Sequence, residues 1–101
     1  MAQFVYIYNE GPFITEFALG LPGGGQTPWT GEKAISGYAN WDLQALGIPE
    51  GAQVCAMCNI EDGKGPHMSG DNVTASYDGT TCDYTLSGDT PWSPSFSLSC
   101  K

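Results

Sequence analysis

The feature that most constrains this chain is a period-two alternation of apolar side chains, broken every 8–12 residues by glycine and proline. Phe4, Tyr6 and Tyr8 alternate with Val5 and Ile7, and Phe13, Thr15, Phe17 and Leu19 alternate with Ile14, Glu16 and Ala18. Such runs fit pleated, half-buried strands rich in aromatic and β-branched residues. No stretch sustains the 3.6-residue period that a three-turn helix requires. The pattern predicts a single all-β domain over residues 1–101: an antiparallel β-sandwich of about seven short strands.

Individual segments follow from the same logic. Asn9-Glu10-Gly11-Pro12 reads as a turn joining the first two runs into an N-terminal hairpin. Leu21 to Pro28 holds three consecutive glycines and reads as a loop. Lys33 to Ala39 alternates like a strand, followed by a turn that Asp42 caps and Gly47 ends. Ala52 to Ile60 reads as a central strand with Val54, Ala56 and Cys58 on one face. Glu61 to Asp71 reads as a long polar loop and Val73 to Tyr77 as a strand. Asp78-Gly79 carries a hairpin turn signal. Cys82, Tyr84 and Leu86 then share one face, and Phe96, Leu98 and Cys100 lie on a last strand.

Four cysteines in 101 residues point to two disulfides and an oxidising, extracellular setting. Residues three apart on a strand face opposite sides, so Cys55 and Cys58 are not expected to bond each other. The favoured pairing is Cys55–Cys100 with Cys58–Cys82, because the end of one antiparallel strand meets the start of the next. Cys55–Cys82 with Cys58–Cys100 stays open. The spacing fits neither a zinc site of two close pairs nor a thioredoxin-like turn. The acidic residues do not follow a calcium-loop pattern. No metal and no cofactor is expected.

Charge narrows the partners. Three lysines, no arginine and eleven carboxylates give a net charge of −8. A nucleic-acid binder needs a basic footprint, so that class is set aside. No apolar run approaches the roughly 20 residues of a membrane span. The start Met1-Ala2-Gln3-Phe4 lacks the charged and apolar regions of a signal peptide. A secreted protein would then have lost a leader or used another export route. Asn72-Val73-Thr74 is a glycosylation sequon consistent with an extracellular location.

Catalysis is not expected. His67 is the only histidine and falls in the glycine-rich stretch, where it reads as a surface residue. A pair with Cys58 conflicts with the disulfide reading, and no nucleophile-elbow motif is present. The acids fall mostly in turns. The aromatics carry more information. Trp29, Trp41 and Trp92 lie in or beside turn-rich stretches, two of them next to prolines. Flat rings at a rim stack on sugar faces or settle at lipid interfaces. Asn40, Asp42, Asp89 and Gln26 lie near them in sequence and could bond hydroxyls. The reading is a non-catalytic binding module for a neutral ligand, foremost a glycan, using Trp29, Trp41, Trp92, Asn40, Asp42 and Asp89. Its alternatives are a protein-binding, toxin-like effector and a membrane-active defence protein.

The opening Phe4-Val5-Tyr6-Ile7-Tyr8-Asn9-Glu10-Gly11-Pro12-Phe13 resembles the first strand and turn of small β-sandwich proteins of the aegerolysin kind and related fungal lectins and cytolysins. The resemblance spans about the first twenty residues. It extends to the small acidic size and the Met1-Ala2 start. It implies a non-enzymatic binder of glycans or membrane lipids acting in defence or toxicity, and it transfers no site residues.

Overall fold

The structure is a computed structural model, and it describes residues 1–100 apart from 62, 64, 89 and 91. Seven strands are described: β1 (Phe4–Asn9), β2 (Thr15–Gly20), β3 (Tyr38–Asp42), β4 (Gln53–Ile60), β5 (Pro66–Thr74), β6 (Thr81–Ser87) and β7 (Ser95–Cys100). No helix occurs among the described residues. One sheet has the order β3-β1-β6-β7 and the other β2-β4-β5. Buried side chains from both sheets form one continuous cluster, including Val5, Ile7, Phe17, Val54, Cys58, Tyr84 and Leu86. The expected inward parity holds on β4 and β6.

The expected N-terminal hairpin is not formed. β1 pairs antiparallel with β3 and parallel with β6, whereas β2 pairs with β4 in the other sheet. The first sheet is therefore mixed, not wholly antiparallel as the alternation suggested. The cause is a corner built on Asn9, which is fully buried. Its Nδ2 donates to the carbonyls of Phe13 at 2.7 Å and Lys33 at 3.0 Å, while its Oδ1 accepts from the Gly11 amide at 3.1 Å. The Phe13 ring folds over Gly11, where a Cβ would lie only 2.2 Å from Cζ. The chain thus leaves the first sheet instead of reversing within it. Asn9→Ala removes the hub of this corner. We expect it to destabilise the fold by about 1–3 kcal/mol, because two carbonyls and an amide lose their partner. Urea denaturation measures this, and a change under ~0.5 kcal/mol would show that the corner forms without Asn9.

Three other segments depart from the alternation. β3 starts at Tyr38, later than the Lys33 expected. Ser36 takes a positive φ of 69° that interrupts extended backbone, and Lys33 only bridges to Thr15. The long polar loop is mostly strand, since β5 starts at Pro66. A register shift between Cys55 and Met57 hides β5 from a period-two reading. There the Ala56 amide donates to Ser69 Oγ at 3.0 Å, and that hydroxyl donates to the Asp71 carbonyl at 2.9 Å. Asp78-Gly79 joins strands of different sheets, so it is not a hairpin turn. Asp78 instead accepts from the Thr80 amide at 3.0 Å and Ser76 Oγ at 3.1 Å. The turn after β3 is as read: Asp42 Oδ1 accepts from the amides of Gln44 (3.0 Å) and Ala45 (3.3 Å), and Gly47 has φ 75°.

The cysteine pairing is corrected. A disulfide joins Cys82 to Cys100, and Cys55 and Cys58 are buried free thiols. The expected Cys55–Cys100 bridge fails because Cys55 faces the outer side of the β2-β4-β5 sheet, and Cys58–Cys82 fails because Cys82 is bonded to the residue opposite it on β7. Cys82 and Cys100 face each other across the β6–β7 ladder with Cα atoms 4.0 Å apart. Cys55 and Cys58, on opposite faces of β4, remain unbonded as parity requires.

Candidate functional site

The aliphatic residues of β1 point inward, which leaves Phe4, Tyr6 and Tyr8 on the outer face. Register adds the rest. Tyr8 lies opposite Tyr38 and Tyr6 opposite Asn40 on β3. On the other side Tyr6 neighbours Asp83 and Tyr8 neighbours Thr85. Beyond these come Ser99 and Ser97 of β7. The three tyrosine rings form a tight triad. Tyr6 and Tyr8 centroids are 5.9 Å apart with planes 12° from parallel. Tyr6 and Tyr38 are 6.1 Å apart, and Tyr8 and Tyr38 5.8 Å apart. Tyr38 is 51 % exposed.

The electrostatics of this face are one-sided. None of the four strands carries a lysine. Partial desolvation, then the Asp83 carboxylate and the neighbouring phenols, push the Tyr8 hydroxyl above its ordinary range. It therefore stays protonated and able to donate. The surface offers aromatic rings, hydroxyls and the Asn40 amide, with no cationic side chain on its four strands to favour an anion. That chemistry suits a neutral polyhydroxylated ligand.

The residues anticipated from sequence are dispersed. Trp29 is half-buried on the outer side of the β2-β4-β5 sheet, against Ala18, Cys55 and Met57. Trp41 is half-buried against the main core, because its neighbours on β3 take the outer face. Trp92, in the β6–β7 connection, is 63 % exposed. Asn40 is exposed beside Tyr6. Asp42 falls on the same face by alternation, but its Oδ1 is engaged by Gln44 and Ala45 and by Gln3 Nε2 at 3.3 Å. Gln26 bonds the Thr27 carbonyl. Asp89 lies outside the described residues. The triad itself was half legible: Tyr6 and Tyr8 share a parity in the first run, but Tyr38 joins them only through strand pairing.

His67 stands on β5, not in a loop. It is half-buried and opposite Cys58, and its Nε2 has no hydrogen-bond partner among the described residues. Burial pushes the Cys58 thiol up to about 11, the opposite direction from thiolate activation. Among the described residues, no three His, Cys, Asp or Glu side chains gather as a metal site. No helix among them is long and apolar enough to cross a membrane. No family model, curated protein or solved structure matches the chain.

Proposed function

We propose that this chain is a secreted, non-catalytic carbohydrate-binding module, a β-sandwich whose tyrosine face takes a neutral glycan. The observation that carries the reading is the triad of Tyr6, Tyr8 and Tyr38, with centroids 5.8–6.1 Å apart on a sheet whose four strands carry no lysine. The apolar C–H face of a pyranose stacks on such rings, and Asn40, Ser97, Ser99 and Thr85 supply directional bonds to its hydroxyls. The loop tryptophans become secondary. Trp92 is the exposed one of the three, whereas Trp29 and Trp41 serve packing. The opening strand, which resembles that of aegerolysin-type proteins, is the one bearing Tyr6 and Tyr8. This supports a role in defence or toxicity.

A glycan array followed by calorimetry tests the proposal. Tyr6→Ala and Tyr38→Ala should each weaken the best ligand by roughly tenfold or more, about 1.4 kcal/mol per decade. Tyr38 is 51 % exposed, so Tyr38→Ala should hardly move thermal stability, and circular dichroism checks the fold of Tyr6→Ala, whose ring is half-buried. Trp29→Ala should leave affinity within about twofold. Silence across the array, or affinity indifferent to both tyrosine changes, would sink the glycan reading. Binding to vesicles without any glycan response would favour the membrane-active alternative.

A further inference from the structure

The outer face of the β2-β4-β5 sheet brings together three sulfur-bearing side chains. Cys55 and Met57 are two apart on β4 and share that face. Met68 is the cross-strand partner of Met57, and Gly20 the partner of Cys55. Gly20 marks where they meet. A Cβ there would lie 2.6 Å from Cys55 Sγ, 3.6 Å from Met57 Sδ and 3.6 Å from Met68 Cε. A bare glycine is therefore what lets the three side chains converge.

Above them is a cavity of about 240 Å³, lined in part by Gly24, Gly25, Gln26 and Asn72 as well as the three sulfur residues. Cys55 and Met57 are each 8 % exposed, whereas Met68 is 62 % exposed at the rim. The inner two donors are thus shielded from water and the third is reachable. Cys55 takes no part in a disulfide, and Cys58 cannot reach it from the opposite face of β4. Simple packing explains Met57 and Trp29. It does not explain an exposed methionine held over a cavity with a free thiol at its floor.

We propose that Cys55, Met57 and Met68 form a binding site for monovalent copper, with one thiolate and two thioethers as ligands. The donor set decides the metal. Thioethers and thiolates select Cu(I) and are poor matches for calcium or magnesium. Zinc favours four thiolate, imidazole or carboxylate ligands, and no such group gathers among the described residues. Two or three sulfurs suffice for Cu(I), and the burial of Cys55 and Met57 limits competition from water at the two inner donors. Binding releases the Cys55 thiol proton to solvent. The ion enters already as Cu(I), so no electron is transferred. The site is independent of the tyrosine face, which belongs to the other sheet.

The test is a Cu(I) titration of tag-free, oxidised protein under ascorbate, in competition with a chromophoric Cu(I) chelator. One equivalent should be retained, with a thiolate-to-copper band in the ultraviolet. Cys55→Ser should lower affinity roughly 100-fold or more, and Met57→Leu and Met68→Leu roughly tenfold each, because each change removes a sulfur bonded directly to the ion. Cys58→Ala should still hold one equivalent, and circular dichroism checks each fold. The proposal is overturned if the chelator strips all copper from the wild type. It is equally overturned if Cys55→Ser binds as tightly, or if neither methionine variant weakens binding.

Discussion

Replacing Tyr84 by alanine is expected to cost roughly 3–5 kcal/mol, the range for emptying a large aromatic site in a core. Tyr84 is fully buried on β6 and meets Phe96 edge-on at 6.0 Å. Its hydroxyl donates to the Asp71 carbonyl at 2.6 Å, so one side chain ties the four-stranded sheet to β5 of the three-stranded one. A domain of this size has only about 5–15 kcal/mol in total, so Tyr84→Ala should remove a large share of the margin. Tyr84→Phe separates the two contributions. It keeps the ring and drops one hydrogen bond, and should cost about 1 kcal/mol. Urea denaturation of both variants measures the difference. If alanine were no worse than phenylalanine, the ring would not be filling a core common to the two sheets.

The second large effect concerns the β6–β7 hairpin. Cys82–Cys100 closes a loop with a sequence separation of 18. Chain-entropy arithmetic gives about 3 kcal/mol for a loop of this length. Reduction, or the Cys82→Ala/Cys100→Ala pair, should lower the melting temperature by on the order of 12–24 °C. Thiol counting makes the pairing explicit. Unreduced protein in denaturant should release two thiols, those of Cys55 and Cys58. Native protein should react slowly, because both are buried and burial raises both thiols. Four thiols, or none, in denaturant would refute the assignment.

Side-chain parity was legible in the sequence because it is a local property. Val54, Ala56 and Cys58 face one way, as do Cys82, Tyr84 and Leu86, wherever the neighbouring strands lie. The Asp42 cap and the Gly47 stop were legible for the same reason. Partner choice was not, because it depends on long-range geometry. A buried asparagine turns Asn9–Phe13 from a hairpin into a corner between sheets, and nothing in the alternation signals that. The irregularity beside Ala56 disguised the first two thirds of β5 as loop. Once β4 was assumed to neighbour the last strands, the wrong disulfides followed directly. The tyrosine face lay in the same gap: two of its rings follow from parity, and the third only from the Tyr8–Tyr38 register.

The first strand sits between β3 and β6, and this has a consequence during synthesis on the ribosome. Phe4 to Asn9 emerges early, yet its parallel neighbour is not available until Ser87 has cleared the exit tunnel. β3 can cover one border once Asp42 has emerged, but the border that faces β6 stays open for that interval, as slowly assembled non-local pairings generally must. Nascent chains halted before residue 81 should therefore remain protease-sensitive and draw chaperones, and those extended past Cys100 should not.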